Sequence, residues 1–283
     1  MQRIVDTHVH IWNLQRAEYP WLQNDTSILN KTWEIAALNE EREAAGVTEG
    51  VLVQAGGNLE DTELMLETAR ATTWISGVVG WLPLKNPVET NRLLDTKFLH
   101  EKYFKGIRHQ VHDEPDAKWL LQPAVLESLA ILAEKNIPFD IVAVKPGHIE
   151  TAIEVAERIP GLKMVFDHLS QPPVAAGEKF GLWGDLMKVA AQHPGFHAKI
   201  SGLGTTTKNR ADWGAKDIAP YMGFILDHFG ADRCFCGGDW PVSLLAGGYV
   251  HTWAAYKEVL TTLASEKEQE KILYHNACVF YNL

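Results

Sequence analysis

The 283-residue sequence lacks the features that would place it across a membrane or hold it together with disulfides. A bilayer-spanning helix needs about 20 consecutive apolar residues, and the longest candidate run, residues 218–226, is interrupted by Pro220 and Gly223. The chain has only 3 cysteines, which cannot pair completely, and Cys234 and Cys236 lie in an apolar stretch that suits reduced core thiols. A transmembrane span and a disulfide framework are therefore excluded.

Positive charge is also scarce. The sequence has 26 Lys and Arg against 36 Asp and Glu, a formal net charge of −10, and its pI is near 5.6. Such a chain offers nucleic acid and anionic lipid no favourable field, so we expect it to bind neither. The first eight residues enter a strand-like run without the basic and apolar segments of a signal peptide, which predicts a cytoplasmic protein.

The apolar content is high enough for a large core, since 46% of the residues are hydrophobic and 10% are aromatic. At about 150 residues per domain the length suggests about two domains, but a (β/α)₈ barrel takes about 250 residues as one. Short apolar runs alternate with helical periodicity eight times, which favours parallel strands, right-handed crossovers and closure. The predicted strands are residues 4–7, 50–54, 75–80, 104–108, 138–142, 163–167, 196–201 and 233–237. We expect an α/β fold, a single TIM-like (β/α)₈ barrel domain over residues 1–283.

Capping signals predict where two of the helices begin. Asn58 together with Asp61 predicts the start of a helix over Leu59–Ala71, and Asn86 before Pro87 predicts a cap followed by a proline at the first helical position. Apolar residues between positions 122 and 134 lie on one face, as expected for an outer helix that packs on a sheet.

Polar residues at the C-terminal ends of barrel strands are the candidates for chemistry, because that end carries the active site of such barrels. His8 and His10 end the first strand, and the two-residue period of a strand places them on the same side. His168 follows the sixth strand and Asp239 follows the eighth. Imidazole and carboxylate are ligands of catalytic zinc, and an aspartate can also deprotonate water. The alternative is that Asp239 caps its turn and His168 only bonds a loop.

The fourth strand ends in Arg108, whose guanidinium suits a carboxylate or sugar oxygens and makes it the predicted substrate anchor. A salt bridge across the barrel is the alternative. His109 and His112 follow it, as substrate contacts or as solvated loop residues. Asp140 lies inside the fifth strand, where a buried charge is expected either to pair with a rim His or Arg or to serve as a ligand itself. Lys199 is predicted to pair with a carboxylate rather than to act as a nucleophile.

Tryptophans are numerous around the predicted rim loops. Flat apolar walls for a sugar ring are one interpretation and core packing is an equal alternative. The residues are Trp12, Trp21, Trp81, Trp213 and Trp240. No serine has the Gly-x-Ser-x-Gly context of a nucleophile elbow, and no phosphate-binding or dinucleotide motif follows a strand. Water is therefore the predicted nucleophile.

Taken together, the motifs of the chain resemble the sugar-lactonase branch of the amidohydrolase superfamily, the L-fuconolactonase-like metal-dependent hydrolases. Among them are Asp6-Thr7-His8-Val9-His10-Ile11-Trp12, Gly106-Ile107-Arg108-His109, Asp167-His168-Leu169, Lys199-Ile200-Ser201-Gly202-Leu203 and Gly238-Asp239-Trp240-Pro241. The resemblance runs from Ile4 to the C-terminus. It implies a distorted barrel that hydrolyses a small sugar-acid lactone of the L-fucono-, L-rhamnono- or galactono-lactone type in carbohydrate catabolism. A decarboxylase of the same superfamily and a lactone isomerase are the alternatives.

The resemblance also implies a reaction centre made of catalytic His8, His10, His168 and Asp239. Substrate would be bound by Arg108, with Trp12, His109, His112 and Trp213 reading its hydroxyls. Many superfamily members have a Lys, Glu or His ligand on strand four or five, where Arg108 and Asp140 stand here. That departure leaves two alternatives. Either the three histidines and Asp239 hold one divalent ion, with Zn²⁺ preferred, or catalysis proceeds without metal. The predicted partner is a small-molecule lactone, and nothing in the sequence predicts an oligomeric state.

Overall fold

The chain folds around one sheet of parallel strands, each hydrogen-bonded to the next along the chain. The structure, a computed structural model, describes residues 2–208 and 210–283. Within them the strands are β1 (Val5–Val9), β2 (Glu49–Val53), β3 (Ile75–Gly80), β4 (Phe104–His109), β5 (Phe139–Ile141), β6 (Met164–Phe166), β7 (Phe196–Ile200) and β8 (Cys234–Cys236). A parallel bridge between Val9 and Trp240 joins the first strand to the chain after the last one. The predicted (β/α)₈ barrel is confirmed, and its closure at this seam is partial.

Helices surround the sheet on its outer side and cover one end of the barrel. They are α1 (Asn39–Ala45), α2 (Leu59–Ala71), α3 (Pro87–Thr96), α4 (Pro123–Glu134), α5 (Pro146–Arg158), α6 (Gly181–Ala191), α7 (Ala215–Phe229), α8 (Tyr249–Leu263), α9 (Glu266–Glu270) and α10 (Asn276–Tyr281). None of the described helices is long and apolar enough to cross a bilayer.

The two predicted helix starts are present. The Asn58 side chain accepts a hydrogen bond from the backbone N–H of Asp61 at 2.9 Å, and Asn86 accepts one from Glu89 at 3.1 Å. Both caps satisfy backbone donors that the first turn of a helix leaves unpaired. The strand bounds are less accurate, because β1 continues to Val9 and β5, β6 and β8 are each only three residues long.

The C-terminal helix α10 closes one end of the barrel. Phe280 and Tyr281 pack against a buried cluster of strand side chains that includes Val51, Val165 and Phe235. Asn282 accepts a hydrogen bond from Lys105, near the start of β4, so the covered end is the N-terminal one. The opposite end, where the predicted site residues lie, stays open to a cavity. That the whole chain is a single domain stays a prediction.

Candidate active site

Two imidazoles meet at the end of β1. The Nε2 atoms of His8 and His10 lie 3.1 Å apart, and both residues are buried. The Nδ1 atom of His10 lies 2.7 Å from the carbonyl oxygen of Val53 and therefore carries the proton of the neutral ring, since a carbonyl can only accept. The Nε2 atom of His10 then presents a lone pair to the site.

Asp239 lies opposite this pair, in the turn that follows β8. Its Oδ1 atom is 3.6 Å from Nε2 of His10 and 3.8 Å from Nε2 of His8. The residue has a left-handed φ of 55°, and the hydrogen bonds that hold its turn use its backbone, which donates to His8 and accepts from Ser243. The carboxylate is thus left free to face the imidazoles, so capping of the turn does not exclude a role for the side chain.

A buried aspartate on β1 fixes the position of this turn. Asp6 accepts hydrogen bonds from the backbone N–H groups of His8 and Gly238 at 2.8 Å each, and from the Tyr249 hydroxyl at 2.6 Å. Burial raises the pKa of Asp6 to about 6, although these three donors act against the rise. Asp6 therefore connects β1, the Asp239 turn and α8, which sequence patterns alone did not indicate.

His168 enters the site from a segment of left-handed backbone after β6, where residues 168–171 all have positive φ. Its backbone N–H donates to Oγ of Ser201 at 3.1 Å, and its Nδ1 atom lies 2.9 Å from the same oxygen. Because Ser201 already accepts one bond, its own proton can point to Nδ1, which leaves the proton of a neutral His168 on Nε2. Burial lowers the pKa of His168 and so favours that neutral ring.

The glycine that follows Ser201 makes this arrangement possible. Gly202 has a φ of 59°, and a Cβ atom there would lie 2.9 Å from Oδ2 of Asp239 and closer still to Nδ1 of His168. Real Cβ atoms do not make such contacts. Two candidate catalytic side chains can therefore approach each other only because this position has no side chain.

Arg108 is both an internal salt-bridge partner and a wall of the site. Its Nη1 donates to Nε2 of His8 at 2.9 Å and to Oδ2 of Asp167 at 3.2 Å, and its Nε donates to Gln54 at 3.2 Å. The remaining nitrogen, Nη2, takes no part in these bonds and is free for a substrate oxygen. Gln54 directly follows β2, and it was not predicted as a site residue. The rule that polar residues at strand ends carry function applies to it and could have indicated it.

Below the histidines lies a network of buried charges. The Nζ atom of Lys199 is 2.5 Å from Oδ2 of Asp140 and 2.8 Å from Oδ1 of Asp167, which itself lies 3.4 Å from Nδ1 of His8. Burial raises the pKa of Asp140 to about 6. Burial acts in the same direction on Asp167, but Lys199, His8 and Arg108 outweigh it and hold its pKa well below the usual range. Lys199 thus pairs with carboxylates, as predicted, and Asp140 pairs with Lys199 rather than with the expected rim histidine or arginine.

The site opens into a cavity of about 430 Å³, called here the catalytic cavity. Six predicted residues are among its walls, namely His10, Trp12, Arg108, His112, His168 and Asp239. His8 is completely buried behind them. Gln110, Gln171 and Thr205 also line the cavity and were not predicted, because they lie in loops that carry no periodic signal.

Two predicted substrate contacts lie elsewhere. Trp213 is buried against Gly204, where its Nε1 donates to the carbonyl of Ala246 at 2.6 Å, and it does not line the catalytic cavity. His109 lines a neighbouring cavity, with its Nε2 atom 2.8 Å from Glu114. For Trp213 the packing interpretation of the tryptophans is therefore the one observed.

His8, His10 and Asp239 form a candidate metal site, with one ligand atom from each within 4.8 Å of the others. Bonds of about 2.0–2.1 Å in a tetrahedral site separate ligand atoms by about 3.3 Å, close to the observed 3.1 to 3.8 Å. These three donors therefore fit a divalent ion. This group contains three of the four expected metal ligands, because His168 is not part of it.

Comparisons with known proteins agree with the fold. A family model described as amidohydrolase matches residues 5–283, so the chain belongs to the amidohydrolase family and is a hydrolase. An L-fucono-1,5-lactonase from Burkholderia ambifaria is 30% identical to it, over 99% of this chain and 95% of that protein. An L-rhamnono-gamma-lactonase from Scheffersomyces stipitis is 23% identical, over 63% of this chain and 59% of that protein.

A solved structure is similar over its whole length. An amidohydrolase from Burkholderia multivorans with bound zinc has a TM-score of 0.90 and 26% identity, and the match covers 99% of each chain. The resemblance that the motifs indicated is thus confirmed at the level of the family.

Proposed function

We propose that this protein hydrolyses the ester bond of a small sugar-acid lactone, of the L-fucono-, L-rhamnono- or galactono-lactone type. The observation that carries the proposal is the position of Asp239, a carboxylate at the wall of the catalytic cavity that faces two imidazoles and is free of turn hydrogen bonds. The relatives named as L-fucono-1,5-lactonase and L-rhamnono-gamma-lactonase support this substrate class.

Water is the nucleophile in this proposal. Ser201 bonds His168, but it is completely buried and does not line the catalytic cavity, so it cannot reach a substrate carbonyl. Asp239 takes a proton from water as the water oxygen attacks the lactone carbonyl. The tetrahedral intermediate then breaks its bond to the ring oxygen, and Asp239 returns the proton to that oxygen. The product is the open hydroxy acid.

The negative charge that develops on the carbonyl oxygen needs hydrogen-bond donors. His168 offers the proton on Nε2 and Arg108 offers Nη2, and both side chains line the catalytic cavity. His10 presents a lone pair, so it accepts a bond from the attacking water or from a substrate hydroxyl. His8 accepts from Arg108 and thereby orients the guanidinium. A divalent ion held by His8, His10 and Asp239 would replace Arg108 at Nε2 of His8 and would supply Lewis-acid polarisation at the same place.

A substrate screen tests the proposal. Purified protein would be offered single-ring aldonolactones with a pH indicator, and aromatic acids with ultraviolet and CO₂ detection, each corrected for spontaneous reaction. We expect acid release from at least one lactone, and Asp239→Asn should slow this release about 10²–10⁴-fold. Release of CO₂ from an aromatic acid without lactone hydrolysis would instead assign the decarboxylase activity.

A further inference from the structure

A second chamber adjoins the catalytic cavity. It has a volume of about 480 Å³ and shares two wall residues, Trp21 and Gln110, with the catalytic cavity. Gln54 also lines it, donates to Oε1 of Gln110 at 3.0 Å, and accepts from Arg108. We call this space the outer chamber. The Gln54–Gln110 pair thus stands at the boundary between the two spaces and is bonded to the proposed substrate anchor.

The walls of the outer chamber are largely aromatic. Trp21, Trp81 and Trp119 line it, as does His109, which stacks on Trp119 with a centroid distance of 4.0 Å and an interplanar angle of 5°. The indole nitrogens of Trp81 and Trp119 and Nδ1 of His109 are buried and closed off from the open space of the chamber. An occupant therefore meets the faces and edges of these rings.

The charges of the chamber argue against an anionic occupant. Asp113 and Glu114 face it with one cation, the exposed Lys85, while His109 is kept neutral because burial lowers its pKa. Carboxylates and the Gln110 side chain accept hydrogen bonds from hydroxyls, and aromatic faces pack on the C–H face of a ring. An uncharged, hydroxylated ring complements both kinds of wall.

We propose that the outer chamber binds a second sugar ring, so that the preferred substrate is the lactone of a disaccharide acid. The inference rests on the proposed lactonase function and extends it. The lactone ring occupies the catalytic cavity and opens as described, while the glycosidic bond to the second ring stays intact. Each space lies within the range of about 300–1,000 Å³ that ligand sites occupy, so each can hold one ring.

A glycine at the chamber provides a variant that fills it. Gly57 lines the outer chamber, does not have a positive φ, and a Cβ atom there would have only Trp81 Nε1 nearby, at 3.7 Å. Gly57→Leu therefore fits the backbone and projects into the chamber. Gly161 is the matched control, because it also lacks a positive φ, a Cβ atom there meets nothing within 4 Å, and the turn between α5 and β6 lies at the opposite end of the barrel.

The experiment measures kcat/KM for single-ring lactones (D-glucono-1,5-lactone and L-fucono-1,5-lactone) and for disaccharide lactones (lactobiono-, cellobiono- and maltobiono-1,5-lactone). We expect the wild-type protein to favour one disaccharide lactone by about tenfold, equivalent to about 1.4 kcal/mol. Gly57→Leu should reduce that preference by about tenfold, and Gly161→Leu should preserve it. Trp81→Ala, which removes one aromatic wall of the chamber, should raise KM for the disaccharide lactone more than it lowers kcat.

The outcomes separate the two proposals. Hydrolysis of single-ring lactones with no disaccharide preference, or a preference that Gly57→Leu leaves intact in a folded protein, would overturn the chamber assignment and leave the lactonase function standing. If no lactone of either kind is hydrolysed, the proposed function fails. Calorimetry would then measure the binding of lactobionate to wild type and to Gly57→Leu. Equal binding to both proteins, or no binding to either, would contradict the chamber assignment.

Discussion

Arg108 and His8 share a direct hydrogen bond, with 2.9 Å between Nη1 and Nε2. The acceptor is the same nitrogen that would ligate a metal ion together with His10 and Asp239. One lone pair cannot serve the guanidinium and a metal ion at once, and the positive charge of Arg108 opposes a second cation beside it. Arginine and metal therefore compete for His8.

Metal removal tests the role of this site. We expect lactonase activity to fall when the protein is stripped with a strong chelator and to return with Zn²⁺ or Mn²⁺ in proportion to the measured metal content, as a Lewis-acid role requires. Full activity in metal-free protein would contradict this prediction without affecting the lactonase proposal.

A second expectation from the same competition concerns Arg108→Met. Removal of the guanidinium frees His8 and removes a positive charge within a few ångströms, so zinc affinity should rise at least about tenfold. Chelator-competition titration of wild type and variant measures this. Equal zinc affinities would show that Arg108 does not oppose the ion.

Asp239→Asn tests the proposed general base. The amide keeps the size of the side chain and cannot take a proton from water, so kcat should fall about 10²–10⁴-fold. Circular dichroism and thermal melting should remain close to wild type, because the bonds of the turn use the backbone of Asp239. Near-normal turnover in a folded variant would remove Asp239 from the mechanism.

Gly202→Ala tests the close approach of His168 and Asp239. The new methyl group would collide with both side chains, so we expect a large loss of kcat together with lower stability. Gly46→Ala is the matched control, since Gly46 also has a positive φ of 72° but a Cβ atom there meets nothing within 4 Å. It should cost stability through backbone strain and keep its activity, and an equal loss of activity in both variants would refute the steric argument.

Local sequence signals were sufficient for much of this architecture. Side-chain caps such as Asn58 act within one helical turn, and the two-residue period of a strand places His8 and His10 on one side without further information. Both depend only on neighbours in sequence, so both could be read from the chain. The family resemblance then supplied the roles of residues that lie far apart.

The contacts that sequence could not predict join distant segments. Tyr249 bonds Asp6 across 243 positions, and Tyr281 donates to Asp140 at 2.7 Å across 141 positions. The left-handed turn of His168 likewise depends on Ser201, which β7 brings alongside. Periodicity carries no information about such pairings, because they are set by how the whole barrel packs.

The last prediction concerns stability and pH at Asp61, the buried aspartate in the first turn of α2. It accepts bonds from the N–H groups of Ala55 and Gly56 at 2.9 and 3.0 Å and from the Tyr19 hydroxyl at 2.9 Å, yet burial raises its pKa to about 6. In the unfolded chain the pKa of an aspartate is near 3.9, so between about pH 4 and 6 the folded state binds more protons than the unfolded state. The free energy of unfolding must therefore fall as pH rises through this window, by up to about 3 kcal/mol. Asp61→Asn keeps an acceptor for both N–H groups and does not titrate. Urea unfolding of both proteins from pH 4 to 7 should show wild type losing stability relative to the variant as pH rises, and a constant difference between them would contradict the raised pKa.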